Sequence, residues 1–167
     1  MRVAILASGE SMSQEVADSV RGEYTVLVVN NVYQLAPWAD GLVANDHDWW
    51  RAHKDAIKFD GRKFSSNNIV GVERVFSDYV TSQSSSGVLS LEVARSRYFA
   101  KEIHLYGFDN KGSHYFGQHV APLNNTTAGR FEIFQHQFKA IGEFLSKCGV
   151  KVINKTPGSA LRAFPFE

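Results

Sequence analysis

The strongest constraint on this chain is its rhythm. Short apolar runs rich in Val, Ile and Leu recur along it as RVAILAS, YTVLVVN, DGLVAND, NIVGVERVF, EIHLYGFD and VKVINKT, each ending on a polar or glycine residue. Such runs predict β-strands. Between them, residues 11–21, 47–57, 87–100 and 130–148 have helical character. Strand alternating with helix predicts an α/β fold: a Rossmann-like, doubly wound, mostly parallel sheet with helices on both faces. Residues 3–6 show almost no polar alternation, which places the first strand at the sheet centre. In the last helix Phe131, Phe134, Phe138, Ile141, Phe144 and Leu145 recur at helical spacing as one apolar stripe, expected to be core.

At 167 residues the chain has the size of a single domain with one core and one site. Its 18 basic and 17 acidic side chains leave a net charge of +1, so no global field draws duplex nucleic acid. The lone Cys148 excludes an internal disulfide or a cysteine zinc cluster and reads as a small buried hydrophobe. No apolar run approaches the ~20 residues of a membrane span and the opening run is too short for a secretion signal, so a cytoplasmic protein with no membrane partner is expected. Residues 58–68 are polar and read as a loop. Residues 110–129 carry Gly, His, Tyr and Asn without a period, and a loop of that length is expected to be a mobile lid or binding rim.

The candidate site residues follow from the strand tips. After the first strand, Ser8, Gly9 and Ser11 form a turn leading into a helix, where glycine permits close approach and a helix N-terminus offers free N–H groups to an anion. Ser11 is equally the candidate N-cap. Asn30 and Asn31 end the second strand, and Asn45 and Asp46 the third. In an open parallel sheet these tips converge on a ligand crevice, although Asn and Asp also end strands simply as turn formers. Ser85, Ser86 and Gly87 open the next helix as a second anion seat or a plain serine cap. Asp109 lies beyond Gly107 at the tip of the fifth strand. His114, Tyr115 and His119 occupy the lid, where an imidazole can exchange a proton and a phenol can donate to phosphate. No histidine pair or acid cluster has metal-ligand spacing, and neither metal nor cofactor is expected.

Taken together, ILASGES, VVNNVYQL, SSSGVLSLEVARSRYFAKEIHLYGFD and VKVINKTPGSAL resemble the bacterial sialyltransferases of glycosyltransferase family 42, in a compact version of the kind seen in phage genomes. The resemblance implies a cytidine-nucleotide site to which Ser8, Gly9, Asn30, Asn45, Ser86 and Gly87 contribute, with Tyr115 on the phosphate and His119, or His114, as general base. Ser8 stands where that family usually has asparagine, and Glu10 puts a negative charge beside the first turn. The segments before Ser86 and after Asp109 are also shorter than in the sialyltransferases.

The expectation is therefore a metal-independent glycosyltransferase-like protein using a nucleotide sugar, with a non-catalytic nucleotide-binding, sequestering protein as the alternative. A nucleotide phosphohydrolase or pyrophosphate transferase is third. The aromatic residues Tyr33, Trp38, Trp49 and Trp50 fit either core packing or a homo-oligomer interface.

Overall fold

The computed structural model describes residues 1–167. Its strands are β1 (Arg2–Leu6), β2 (Thr25–Val29), β3 (Gly41–Val43), β4 (Arg62–Ser65), β5 (Glu73–Arg74), β6 (Glu102–Tyr106) and β7 (Lys151–Asn154), and its helices α1 (Gln14–Ser19), α2 (His47–Ala52), α3 (Ser86–Tyr98) and α4 (Ala128–Lys147). All seven strands run parallel in the order β5-β4-β3-β2-β1-β6-β7. The chain winds outward from β1 through β5, then returns to the other side of β1 for β6 and β7. The winding direction thus reverses between β1 and β6, and the carboxyl ends of the strands around such a switch point are where open parallel sheets commonly hold a crevice.

The pleat divides the buried side chains between two cores. Val3 and Ile5 of β1 and Leu27 and Val29 of β2 face α3 and α4, whereas Ala4, Leu6, Val26 and Val28 face α1 and α2. Residues 3–6 of β1 are wholly inaccessible, as an interior strand between two helical layers requires. On the first face Leu89 and Leu91 of α3 meet Ile141 and Leu145 of α4. Burying each of these side chains contributes about 1.5–3 kcal/mol. On the second face Tyr33, Trp49 and Trp50 are buried while Trp38 is only partly covered, so this aromatic group is core and gives no argument for an oligomer interface. No helix is long and apolar enough to cross a membrane.

Four expectations are corrected. The polar stretch 58–68 supplies β4, because only Phe64 and Ser65 of that strand are buried and the polar Arg62 and Lys63 can stay near water close to the sheet edge. The apolar run NIVGVERVF, expected as a strand, pairs only through Glu73 and Arg74, and its Val70 is 94% exposed. Helix α1 starts at Gln14, capped by the Ser13 hydroxyl rather than by Ser11. Cys148 is exposed at the C-cap of α4, not buried.

Candidate functional site

The tips of β1, β2, β3 and β6 and the amino ends of α3 and α4 enclose a cleft of about 800 Å³. Of the residues singled out in the sequence, Ser8, Gly9, Asn30, Asn45, Asp46, Ser85, Ser86, Gly87, Asp109, His114 and His119 line it. Ser11, Asn31 and Tyr115 do not.

The turn after β1 is not the expected anion seat. The Gly9 N–H donates to the Gly107 carbonyl at 2.9 Å, and a Cβ at Gly9 would run into that carbonyl and into the Asp109 carboxylate. Glycine is needed here for two loops to touch, not for a ligand to approach. Gly107 itself has φ 73 and lies against the Ala7 carbonyl, which no side chain would permit. Asp109 accepts the Ser11 hydroxyl at 2.7 Å. Its loop is backed by the segment after β7, where the Thr156 hydroxyl accepts the Phe108 N–H at 3.0 Å and the Asp109 carbonyl accepts the Ala160 N–H at 2.9 Å.

The asparagines divide by role. Asn45, 2% exposed, donates to the Thr81 and Ser84 carbonyls at 2.9 Å each and accepts the Ser66 N–H and hydroxyl at 2.9 and 2.6 Å, so its amide is saturated inside the fold. It ties the stretch before α3 to the loop after β4 and forms the wall of the cleft without offering it a free group. Asn31 accepts from the Trp49 indole at 2.8 Å. Asp46 caps α2 by accepting the Asp48 N–H at 2.8 Å. Asn30 has a left-handed backbone, φ 50, and its Oδ1 is buried without a partner.

The amino ends of the two long helices also face the cleft. Ser85 caps α3 through its hydroxyl, which accepts the Val88 N–H at 3.2 Å, while the Ser86 hydroxyl accepts the Asn45 N–H at 2.9 Å. Ser86 and Gly87, the first residues of α3, have N–H groups with no partner within the helix, and both line the cleft. The amino end of α4, capped by Thr127, lines the same cleft, as do Arg130 of its first turn and Lys111 of the loop after β6. Two helix dipoles of 13 and 20 residues therefore present their positive ends to one space. The sequence reading missed α4 as a contributor; Thr127 three residues before Arg130, opening an apolar-periodic segment, was the available capping signal. The apolar stripe is core through Phe138, Ile141 and Leu145, as expected, whereas Phe131 and Phe134 are only partly buried and form, with Phe138, an apolar side of the cleft.

Of the segment expected as a lid, residues 113–115 lie against the strand tips, and residues 128 and 129 belong to α4. His114 pairs with Gly9 in an antiparallel bridge, the Tyr115 N–H donates to the Ser8 carbonyl at 3.1 Å, and the Ser113 N–H donates to the Glu10 carboxylate at 2.8 Å. Glu10, which seemed to oppose an anion, instead clasps this segment. The Tyr115 hydroxyl donates to the Asn31 carbonyl at 3.0 Å, which takes it out of the cleft and away from the expected phosphate contact. The His114 and His119 rings lie 4.5 Å apart at the rim. Burial pushes the His119 imidazole down to about 4, helped by the neighbouring His114 and His53 and opposed by Asp46. Burial also lowers His114, with the Gly117 carbonyl opposing. Both rings are thus neutral near pH 7 and able to take up a proton once an anion is close.

No family model, curated protein or solved structure matches the chain.

Proposed function

We propose that the cleft binds a nucleotide-type ligand and that the protein is a metal-independent, nucleotide-sugar-dependent glycosyltransferase of the sialyltransferase kind, with a cytidine nucleotide as donor. The observation that supports this reading is the convergence of the α3 and α4 amino ends, with Arg130 and Lys111, on a cleft at the carboxyl edge of a parallel sheet. Phosphate is stabilised by free N–H groups at helix starts and by guanidinium and ammonium charge. The Phe131 and Phe134 side adds an apolar surface for the remainder of the ligand. In the transfer step the acceptor hydroxyl oxygen bonds to the anomeric carbon as the bond from that carbon to phosphate breaks, His119 takes the hydroxyl proton, and the helix N-termini stabilise the charge on the departing nucleotide phosphate.

A non-catalytic nucleotide-binding role is favoured by one observation: the Tyr115 hydroxyl is engaged by the Asn31 carbonyl, so it is not available to the phosphate. Calorimetry with CMP, followed by incubation with CMP-N-acetylneuraminic acid and quantification of free CMP, separates the two. Binding of CMP that weakens about tenfold in Arg130→Ala, together with CMP release that requires an added sugar acceptor, supports the transferase. Binding with the donor returned intact supports the sequestering protein, and no binding of CMP overturns the cytidine assignment.

A further inference from the structure

The buried side-chain polar atoms without a hydrogen-bond partner are Asn30 Oδ1, Asn110 Nδ2 and His114 Nδ1. All three residues line the same cleft. Folded proteins pair nearly all such atoms, and the exceptions call for a reason. The backbone points the same way. Three non-glycine residues have positive φ; Phe99 is the C-cap of α3, and the other two are Asn30, φ 50, and Asn110, φ 52. Strain and orphaned polar atoms therefore fall on the same two asparagines, and such coincidences gather at ligand sites. Asn31, the residue after Asn30, accepts from the Trp49 indole, and Asn45, on the neighbouring β3 tip, has its amide paired within the fold.

Asn30 follows β2 and Asn110 follows β6, one on each side of β1. Asn30 is the first residue after β2 and Asn110 the fourth after β6, and both line the cleft. The orphan on Asn30 is itself an acceptor, so it suits an N–H donor rather than a phosphate oxygen.

We propose that this end of the cleft recognises the edge of a neutral heterocyclic base, whose N–H donates to Asn30 Oδ1 and whose carbonyl or ring nitrogen accepts from Asn110 Nδ2, with His114 Nδ1 as a third contact. The inference rests on the nucleotide reading and deepens it: the phosphate lies by α3 and α4, and the base is read between the loops after β2 and β6. A rigid ring meets both amides at once without loss of internal rotation, which a flexible polyol cannot do.

Calorimetry on the full chain with AMP, GMP, CMP, UMP and ribose 5-phosphate tests it. At least one nucleoside monophosphate is expected to bind tenfold or more tightly than ribose 5-phosphate. Asn30→Gly and Asn110→Gly, which suit the positive φ and so preserve the fold, are expected to cut that margin about tenfold each while leaving ribose 5-phosphate affinity unchanged. Asn110→Asp, which keeps the shape and removes the donor, should do the same. Equal affinity for all five probes overturns base recognition and leaves the anion seat standing. A parallel loss for ribose 5-phosphate in the glycine variants also overturns it. Failure of every probe to bind overturns the nucleotide reading and this inference together.

Discussion

Asp109 and Ser11 are 98 residues apart in the chain, yet the Asp109 carboxylate accepts the Ser11 hydroxyl at 2.7 Å and the Ser11 N–H at 3.3 Å. This pair closes the switch point between β1 and β6. It also explains why α1 begins only at Gln14, since Ser11 is held by the opposite loop and Ser13 provides the cap.

Ser11→Ala is expected to destabilise the protein by about 1–3 kcal/mol, the usual cost of leaving a buried acceptor short of a donor. Asp109 is only 6% exposed, so water does not replace the hydroxyl freely. Urea unfolding measures the loss; an unchanged midpoint would remove the pair from the determinants of the fold. Ser11 does not line the cleft, and nucleotide affinity is expected to stay within about twofold.

Asn45→Ala should lower stability by about 2–3 kcal/mol, because the Thr81 and Ser84 carbonyls and the Ser66 hydroxyl all lose a partner. The damage should be local to residues 81–86 and the loop after β4. Hydrogen exchange would show faster opening of the α3 amino end than of β1, and uniform protection would contradict this assignment.

Gly87→Val is not a clean probe of anion binding. A Cβ there stands 3.0 Å from Phe108 Cε1 and 3.1 Å from Phe138 Cζ, so the branched side chain must displace two packed rings. Overpacking of this kind costs about 1–3 kcal/mol. The melting temperature should fall along with any affinity, and binding lost at full stability would show that the rings yield without cost.

Acid should weaken the protein through His119. Its imidazole is held at about 4 in the folded state against an ordinary 6.5, so the unfolded chain binds more protons between those values. Stability is therefore complete above pH 6.5 and declines as pH falls toward about 4. His119→Gln should flatten that decline when unfolding free energy is followed from pH 7 to 4.5, and identical profiles would rule out the linkage.

The order of apolar runs and helical stretches was enough to define the α/β class, the buried β1 and the two helical layers, because burial on one or both faces of a strand leaves a periodic mark in the sequence itself. Residues at strand tips and helix starts were legible for the same local reason: Ser85, Ser86, Gly87 and Asn30 all line the cleft. What each of them does was not legible. Asn30 and Asn45 follow adjacent strands, one and two residues past the last paired position, yet the Asn45 amide is saturated by residues 66, 81 and 84 and Asn30 keeps a buried acceptor unpaired. Likewise, β4 formed from a polar stretch and NIVGVERVF was left mostly outside the ladder. Pairing partners, orphaned atoms and the meeting of the α3 and α4 amino ends depend on contacts between residues far apart in the chain, and only the tertiary structure decides those.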